Sequence, residues 1–451
     1  MTDRRTILSH LTLRNFRRFE EITLDLHDEL TLLVAENGGG KTAMLDGIGI
    51  ALEFFVSSLS GRRQMGFSSE DARLTQSPDG STVAQYPVRL VADGEIDGDE
   101  TRWTTSLSLI DGRPSYARAW LFGGPAEKLR KELAEYADRK KDQAPPLPVI
   151  AYYGTGRPWT PQRQHAGKKK TAADLTIQTN AYLNCLSSLS NIEQFADWFQ
   201  RVALEAANEK NSGVSSPHRP RNILAAVRQA TDCVLQPSGW KTLDWGFIEE
   251  GIVAIHPEHG RLPISLLSDG IRNLLVMVAD IAHRAVRLNP HFQDDACLLS
   301  PGIVLIDEVD LFLHPSWQQQ VVGLLRQAFP RIQFVLTSHS PQVISTVPRE
   351  CIRVLGGNEW HMPSGQTRGV ESALLLAEVM GVSSIPNVPE SEWVSEYMRM
   401  IDLGQADTEE ARALRTKIVA HFGDHHPVVM ECDRLIRWQA FKHRGSSAAD
   451  G

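Results

Sequence analysis

Cysteine is scarce in this sequence, and its arrangement points to neither a metal site nor a disulfide framework. The five cysteines are scattered, at Cys185, Cys233, Cys297, Cys351 and Cys432. None forms a Cys-x-x-Cys pair, which argues against a structural zinc site. Free and widely separated thiols fit the reducing cytosol. We therefore expect a cytoplasmic protein without disulfides.

Long apolar runs and an excess of positive charge are also missing. No stretch approaches the roughly 18 apolar residues that a membrane helix needs, and residues 1–5 lead into strand-like sequence rather than an apolar signal segment. The net charge is −8, so contact with nucleic acid would require a local basic patch. The chain has 451 residues, 42% of them apolar, which is enough for two or three domains of about 150 residues each.

A glycine-rich loop follows a predicted buried strand. Residues 35–42 read Ala-Glu-Asn-Gly-Gly-Gly-Lys-Thr, directly after the apolar run 30–34. Backbone N–H groups and the N-terminus of the next helix surround phosphate oxygens in such a loop, because glycines leave the approach open. Ala35 replaces the usual first glycine, which an ordinary negative φ tolerates. Lys41 is expected to reach the β- and γ-phosphates and the Thr42 hydroxyl to bind Mg²⁺. The predicted nucleotide-binding residues of this loop are Asn37, Gly38, Gly39, Gly40, Lys41 and Thr42.

A second apolar run ends in two carboxylates. Residues 303–306 read Ile-Val-Leu-Ile and are followed by Asp307 and Glu308. Asp307 is predicted to hold Mg²⁺ and Glu308 to polarise the attacking water. Taken alone, two carboxylates at a strand end are equally well explained as solvated surface residues. The upstream glycine loop favours one shared ATP site.

Two weaker motifs complete an ordered series. Residues 267–271 read Leu-Ser-Asp-Gly-Ile before an amphipathic helix, and residues 335–340 read Val-Leu-Thr-Ser-His-Ser at a strand end. Singly, each has an ordinary explanation, since Ser-Asp-Gly is a common helix N-cap. The order of the motifs is informative: glycine loop, Ser-x-Gly helix start, Asp-Glu strand, histidine strand.

This order resembles that of the ABC-type ATPases, and within them the RecF, SMC and OLD-like branch. Residues 267–271 look like the ABC signature, with Ser268 and Gly270 matching. In the family this loop contacts the γ-phosphate of ATP bound to the opposite subunit, and a histidine in the position of His339 senses that phosphate. Asp269 departs from the signature and would add negative charge near the phosphate. The resemblance implies ATP and Mg²⁺ as cofactors, and a homodimer or larger homo-oligomer with composite sites.

Three other segments bear on the resemblance. Residues 313–315 lie where the family has its D-loop, and residues 13–19 resemble the first hairpin of RecF-like heads, where a basic residue approaches the nucleotide. No Q-loop glutamine is identified. The predicted strand 148–153 is followed by Gly-Thr-Gly-Arg, and Gln162 and Gln164 lie too far along the chain.

The predicted fold class is α/β, an ABC-type P-loop head with a mixed β-sheet, a helical insertion and a helical C-terminal region. Three strands are expected within 6–34 and a helix from Lys41. A capping box at Ser190 opens the insertion helices, and glycines at 381, 404, 423 and 445 follow the tail helices. The expected division is 1–156 for the N-terminal lobe, 157–237 for the insertion, 238–360 for the C-terminal lobe and 361–451 for a partner or oligomer contact.

Within the branch, the chain looks similar to the PtuA-type ATPases of Septu antiphage defence, which also occur beside some retrons. The similarity rests on the Tyr-Tyr-Gly-Thr-Gly-Arg strand end, on an insertion of about 100 residues without sustained heptads, and on the helical tail. The family partner is a separately encoded HNH nuclease, PtuB. We read His425-His426 as a helix lead-in, and Glu431 and Asp433 as solvated helix residues rather than as a nuclease strand. The resemblance implies an ATP-hydrolysing regulatory subunit that is not itself a nuclease.

The sequence is also compatible with a second function. The alternative is a RecF/SMC-like DNA repair or recombination ATPase that acts by loading onto DNA. A transporter ATPase is disfavoured by the missing Q-loop glutamine. The tail face of Leu435, Trp438 and Phe441 fits either a core or a partner surface. Two basic clusters fit either DNA or RNA contact or a solvated surface: Arg157, Arg163, Lys168, Lys169 and Lys170, and Arg434, Arg437, Lys442, His443 and Arg444.

Overall fold

The computed structural model describes residues 4–63, 65–110, 113–122, 124–138, 144–156, 178–187, 192–212 and 220–447. The chain separates into two compact units, Met1–Met380 and Gly381–Gly451. Three features predicted above lie outside the described residues: the basic segment 157–170 with Gln162 and Gln164, the cap at Ser190, and the last residues of the tail. The four-part division of the chain stays a prediction.

Sixteen strands and thirteen α-helices carry the numbering used below, counted over the described residues. The strands are β1 (Thr6–Phe16), β2 (Phe19–Asp25), β3 (Leu30–Val34), β4 (Leu74–Gln76), β5 (Thr82–Ala84), β6 (Val88–Ile96), β7 (Asp99–Ile110), β8 (Arg113–Phe122), β9 (Val149–Tyr153), β10 (Lys241–Gly246), β11 (Gly251–His256), β12 (Gly260–Pro263), β13 (Gly302–Ile306), β14 (Ile332–Thr337), β15 (Ile352–Gly356) and β16 (Glu359–His361). The helices are α1 (Lys41–Ser60), α2 (Pro125–Ala137), α3 (Ile192–Ser212), α4 (Pro220–Leu235), α5 (Asp269–Leu288), α6 (Ala296–Leu299), α7 (Pro315–Gln318), α8 (Val321–Ala328), α9 (Pro341–Ile344), α10 (Ser372–Glu378), α11 (Pro389–Asp402), α12 (Glu409–Phe422) and α13 (Pro427–Ser447).

A six-stranded sheet in the order β16-β15-β3-β14-β13-β9 forms the centre of the first unit. Its strands are parallel except β16, which pairs antiparallel with β15. β3, β9, β13 and β14 are buried along their whole length. Their continuous apolar sequences agree with this, because parallel strands covered on both faces do not alternate with polar residues.

A second, antiparallel sheet has the order β2-β1-β6-β7-β8, and α1 packs against strands of both sheets. The predicted α/β class with a mixed sheet is therefore confirmed, as are the three strands within 6–34 and the helix from Lys41. Among the described residues, α1 alone has the length and apolar composition of a membrane span, which corrects the expectation that no segment does. Its apolar residues lie in the protein core, as expected of a central helix.

The helices predicted between 190 and 237 are α3 and α4, which pack on each other and on α5. Four residues of the predicted apolar stripe are buried: Phe195, Trp198, Phe199 and Val202. The ring of Trp198 lies against that of His283 in α5, with 4.3 Å between ring centroids. These helices therefore join the core of the first unit.

The second unit has a core of its own, formed by α11, α12 and α13 around residues such as Tyr397, Ile401 and Ile418. Leu435 packs against this core, whereas Trp438 and Phe441 are exposed. The helix end predicted at Gly445 is wrong, because α13 continues to Ser447.

Two acidic residues of α13 were predicted to be solvated, and their side chains are 40% and 39% exposed. Glu431 pairs with Arg434, and Asp433 pairs with Arg415 of α12. Both lie in a helix, as predicted, and His426 accepts a hydrogen bond at Nδ1 from the Val428 N–H at the start of that helix. The predicted helix lead-in is confirmed.

Candidate functional site

Sheet order brings the separated motifs together. β14 lies between β3 and β13, and all three strands run parallel. The glycine loop follows β3, Asp307 and Glu308 follow β13, and His339 follows β14. Because carboxyl ends of parallel strands share one edge of a sheet, segments almost 300 residues apart in sequence become neighbours.

Each glycine of the loop is required by its backbone or its surroundings. Gly38 and Gly40 have φ of 73° and 93°, a left-handed conformation that side chains disfavour. A Cβ on Gly39 would lie 2.4 Å from the Cβ of Ala35, and one on Gly40 would lie 2.5 Å from the ring of Phe19. Gly40 also precedes α1 without a capping side chain, which leaves the N-terminus of that helix open to an anion.

The Lys41 ammonium folds back over its own loop. Its Nζ donates to the carbonyl oxygens of Ala35, at 3.0 Å, and Glu36, at 3.3 Å. Burial lowers the pKa of Lys41, while the negative charges of Asp307 and Glu308 oppose that shift. Lys41 therefore lies beside the two carboxylates across the edge of the sheet.

The two predicted metal ligands are in direct contact. Thr42 Oγ1 donates to Asp307 Oδ2 at 2.8 Å, and Asp307 is 1% exposed. A hydroxyl and a carboxylate side by side offer the hard oxygen donors that Mg²⁺ prefers, with phosphate and water to complete its coordination. The residues present therefore fit a magnesium ion held with a nucleotide.

Thr337, at the end of β14, fixes both carboxylate residues and was not predicted from the sequence. Its Oγ1 donates to Asp307 Oδ1 at 2.6 Å and accepts from the Glu308 N–H at 2.7 Å. Glu308 has φ of 48°, a sparsely populated conformation of the kind that concentrates at functional sites. A threonine in the motif around His339 was the available signal, but its role depends on the register of two strands.

His339 faces the same charges. Desolvation, followed by the positive charge of Lys41, lowers its pKa, while Glu308 and two neighbouring aspartates oppose the shift. A lowered pKa favours the neutral ring at pH 7, and a neutral imidazole can donate one hydrogen bond and accept another. That form suits recognition of a terminal phosphate.

The signature residues lie at the start of α5, where their contacts are with other segments. Ser268 is the N-cap of α5. A Cβ on Gly270 would lie 2.4 Å from the carbonyl oxygen of Phe312, so only glycine fits beside residues 312–313 at the predicted D-loop. Asp269 forms an ion pair with Arg272, which locally compensates the charge that the sequence places there. Gly270 thus packs beside residues 312–313 and Ser268 is exposed, while Lys41, Thr42, Asp307, Glu308 and His339 lie at the sheet edge.

The opening hairpin supplies a basic residue to the loop. Arg18 lies between β1 and β2 and donates from Nη1 to the carbonyl oxygen of Gly38. The sequence indicated that a basic residue of 13–19 would approach the nucleotide, and Arg18 is the one that contacts the loop. β9 ends at Tyr153 and is followed by Gly154, Thr155 and Gly156, where the Q-loop glutamine was expected, whereas Gln162 and Gln164 lie outside the described residues.

A group of potential metal ligands lies elsewhere, on the β11–β12 turn. His256, Glu258 and His259 bring ligand atoms within 4.8 Å of one another. Nδ1 of His256, however, accepts the backbone N–H groups of Glu258 and His259. A neutral ring that accepts at Nδ1 carries its proton on Nε2, so these interactions describe a turn and we assign no metal there.

The chain is similar to several known proteins. Residues 10–213 match a family model described as "AAA domain", and residues 243–345 match one described as "AAA domain, putative AbiEii toxin, Type IV TA system". A retron Vc95 probable ATPase from Vibrio cholerae is 24% identical over 90% of this chain and 86% of its own length. Septu protein PtuA from Bacillus mycoides is 44% identical over 17% of this chain and 10% of its own length.

These similarities support an ABC-type ATPase of the RecF, SMC and OLD-like branch. Among solved structures, the SMC head domain from Thermotoga maritima matches 79% of this chain and 98% of its own length, with 16% identity and a TM-score of 0.41. The first AAA-domain match includes the glycine loop, and the second includes Asp307 and Glu308. Relatives from retron and Septu systems support the family resemblance drawn from the sequence.

Proposed function

We propose that the chain binds and hydrolyses ATP as the regulatory subunit of a bacterial antiphage defence complex, in which it gates a separately encoded HNH nuclease. The observation that carries the ATPase part is the contact of Thr42 with Asp307, beside Lys41, Glu308 and His339. The names of the retron and Septu relatives support the defence role. The protein would work in the cytoplasm.

The reaction converts ATP and water to ADP and phosphate. Lys41 leaves the Ala35 and Glu36 carbonyl oxygens to bind the β- and γ-phosphates. Thr42 and Asp307 would hold Mg²⁺, which would neutralise phosphate charge. Glu308 accepts the proton of the attacking water, and its backbone is held by Thr337. His339, in its neutral form, contacts the γ-phosphate.

The composite site requires a second copy of the chain. At the start of α5, Ser268 is exposed and Gly270 packs beside Phe312, and the proposal assigns both to the γ-phosphate bound by a partner's glycine loop. In a two-fold dimer each copy contributes both halves, so two sites form together. ATP binding then closes the dimer and changes the state of an attached nuclease.

The proposal is tested by purifying the tagged chain together with the product of its neighbouring gene. We expect a small HNH protein to co-purify, and its nuclease activity and the protection of cells against phage to be lost with Lys41→Ala. Lys131→Ala, an exposed lysine of α2, is the matched control. ATP hydrolysis stimulated by DNA, without a bound nuclease, would contradict the defence role and favour a repair ATPase.

A further inference from the structure

Two adjacent tyrosines end β9 and connect it to different helices. β9 is the edge strand beside β13, and Tyr152 and Tyr153 are both buried. Side chains of consecutive strand residues point to opposite faces of a sheet. The pair therefore reaches one helix on each side, from a strand that runs beside the carboxylates.

Tyr152 is tied to the helix that follows the glycine loop. Its Oη donates to Asp46 Oδ1 in α1 at 2.7 Å. Asp46 is also paired with Arg17 at 2.5 Å, and Arg17 contacts Asp71 at 2.9 Å. This chain of charged contacts holds the start of α1 to the end of β9.

Tyr153 is tied to the helix that begins with the signature loop. Its Oη donates to Asp280 Oδ2 in α5 at 2.7 Å. Arg284 donates to the same oxygen at 2.9 Å and to the carbonyl oxygen of Ala181 at 2.6 Å. The carbonyl oxygen of Tyr153 in turn accepts the N–H of Asp307 at 2.8 Å. One residue thus contacts both the candidate metal ligand and the signature helix.

Because the hydrogen bonds between β9 and α5 are buried, they favour one position of α5 relative to β9. Asp280 and Arg284 are 4% and 5% exposed. If α5 slid or rotated relative to β9, buried charges and hydroxyl groups would lose partners without gaining water, which costs far more than the loss of an exposed contact. Apolar packing alone would tolerate small shifts more easily, because it has no direction.

The two-fold symmetry of the proposed dimer gives a reason for holding α1 and α5 in a defined relative position. In the proposed dimer, the signature of one chain must meet the glycine loop of its partner at both sites simultaneously. That requires the distance from glycine loop to signature within each chain to match the closed dimer at both sites. A chain in which α5 moved independently of α1 could close one site and leave the other open.

We propose that Tyr152 and Tyr153 are positioning residues that fix the signature helix relative to the glycine loop, so that both ATP sites of the dimer close together. This inference rests on the proposed composite site. Neither tyrosine contacts the nucleotide in this arrangement. Their effect is on closure of the dimer rather than on the first binding of ATP.

The test is made in the Glu308→Gln background, where bound ATP should persist. Tyr153→Phe removes one hydroxyl, and we measure ATP affinity on dilute monomer and ATP-driven association by light scattering. We expect ATP affinity within about twofold of the parent and association weakened about tenfold, as for loss of one hydrogen bond to a charged group. Tyr152→Phe is a second variant with the same expected separation of the two measurements.

The matched control is Tyr182→Phe. Tyr182 is also fully buried, and its Oη donates to the carbonyl oxygen of Pro148 at 2.8 Å, so a buried hydroxyl is lost whose hydrogen bond is made to the residue before β9 and not to an aspartate of α1 or α5. If Tyr153→Phe and Tyr152→Phe associate as tightly as this control, or if ATP affinity falls with association, the positioning role is wrong. Failure of Glu308→Gln alone to associate with ATP would instead reject the composite site.

Discussion

At the scale of single residues, the site depends on a side chain that performs no chemistry. Thr337 is fully buried and holds Asp307 through its side chain and Glu308 through its backbone. One hydroxyl thus orients the candidate metal ligand and the candidate base. Such supporting contacts usually matter nearly as much as the groups they orient.

Thr337→Val keeps the shape of the side chain and removes both hydrogen bonds. We expect ATP hydrolysis to fall by roughly 10- to 100-fold, while ATP binding through Lys41 persists, measured as steady-state phosphate release and as nucleotide affinity. Thr231→Val is the control, since Thr231 is equally buried. The hydrogen bonds seen at its hydroxyl are made to carbonyl oxygens of its own helix. Equal hydrolysis by the two variants would refute the role of Thr337.

The Asp269–Arg272 pair makes a second prediction at this scale. In the proposed dimer, Arg272→Gln would leave Asp269 uncompensated near the partner's phosphate, so we expect ATP-driven association to need roughly three- to tenfold more ATP at low salt. Asp269→Asn combined with Arg272→Gln restores the charge balance and should return association toward the parent. A purely structural role would make the double variant no better than the single one.

Arg399→Gln is the comparison for that experiment. It breaks a pair with Glu396 at the same spacing, in the second unit, and should leave association unchanged. Raising the salt concentration should shrink the effect of Arg272→Gln, because exposed charges are screened.

At the scale of elements, sequence patterns located most of the strands and helices of the site. Continuous apolar runs identified β3, β13 and β14, and the glycine loop fixed the start of α1. What the patterns could not supply was order across the sheet, which places β14 between β3 and β13 and makes Thr337 a partner of Asp307. The end of α13 was missed for a different reason, because the helix tolerates Gly445 where a C-cap was expected.

The contact of α3 with α5 leads to a prediction on pH. Burial lowers the pKa of His283 from 6.5 to about 4, with Asp280 opposing the shift. Between pH 6.5 and about 4, this histidine binds a proton in the unfolded chain but stays neutral in the folded chain. The free energy of unfolding therefore decreases as the pH falls from 6.5 toward 4, by at most about 3 kcal/mol. His283→Gln should reduce this slope in denaturant unfolding between pH 7 and 5.

His361→Gln, at an exposed histidine of β16, is the control for that comparison. It should leave the dependence of unfolding free energy on pH as in the parent. An unchanged slope in His283→Gln would show that the acid sensitivity comes from other groups.

At the scale of the whole molecule, each chain carries two half-sites that the proposal separates between partners. Lys41 and Thr42 belong to one half, and Ser268 and Gly270 to the other. The sequence indicated this division through the family resemblance, not through any local pattern. A single chain carries both half-sites at different positions. An experiment on the assembled dimer is needed to test whether the half-sites of two chains combine.

Mixing two inactive chains provides that test. Lys41→Ala removes the phosphate-binding half, and Ser268→Arg blocks the signature half, so either homodimer should lack ATPase activity. In a mixed dimer one site combines both defects and the other is intact. With equal amounts and random pairing, half of the dimers are mixed, so activity should recover to about a quarter of the parent value.

The control combines both changes in one chain and mixes it with Lys41→Ala, a pairing in which every site lacks Lys41. Phosphate release is measured after the variants are mixed and allowed to exchange subunits, with exchange followed by two affinity tags. Recovery in the first mixture alone would demonstrate a site shared between chains. Confirmed exchange without recovery would mean either that each chain completes its own site or that the two sites of a dimer turn over only when both are intact.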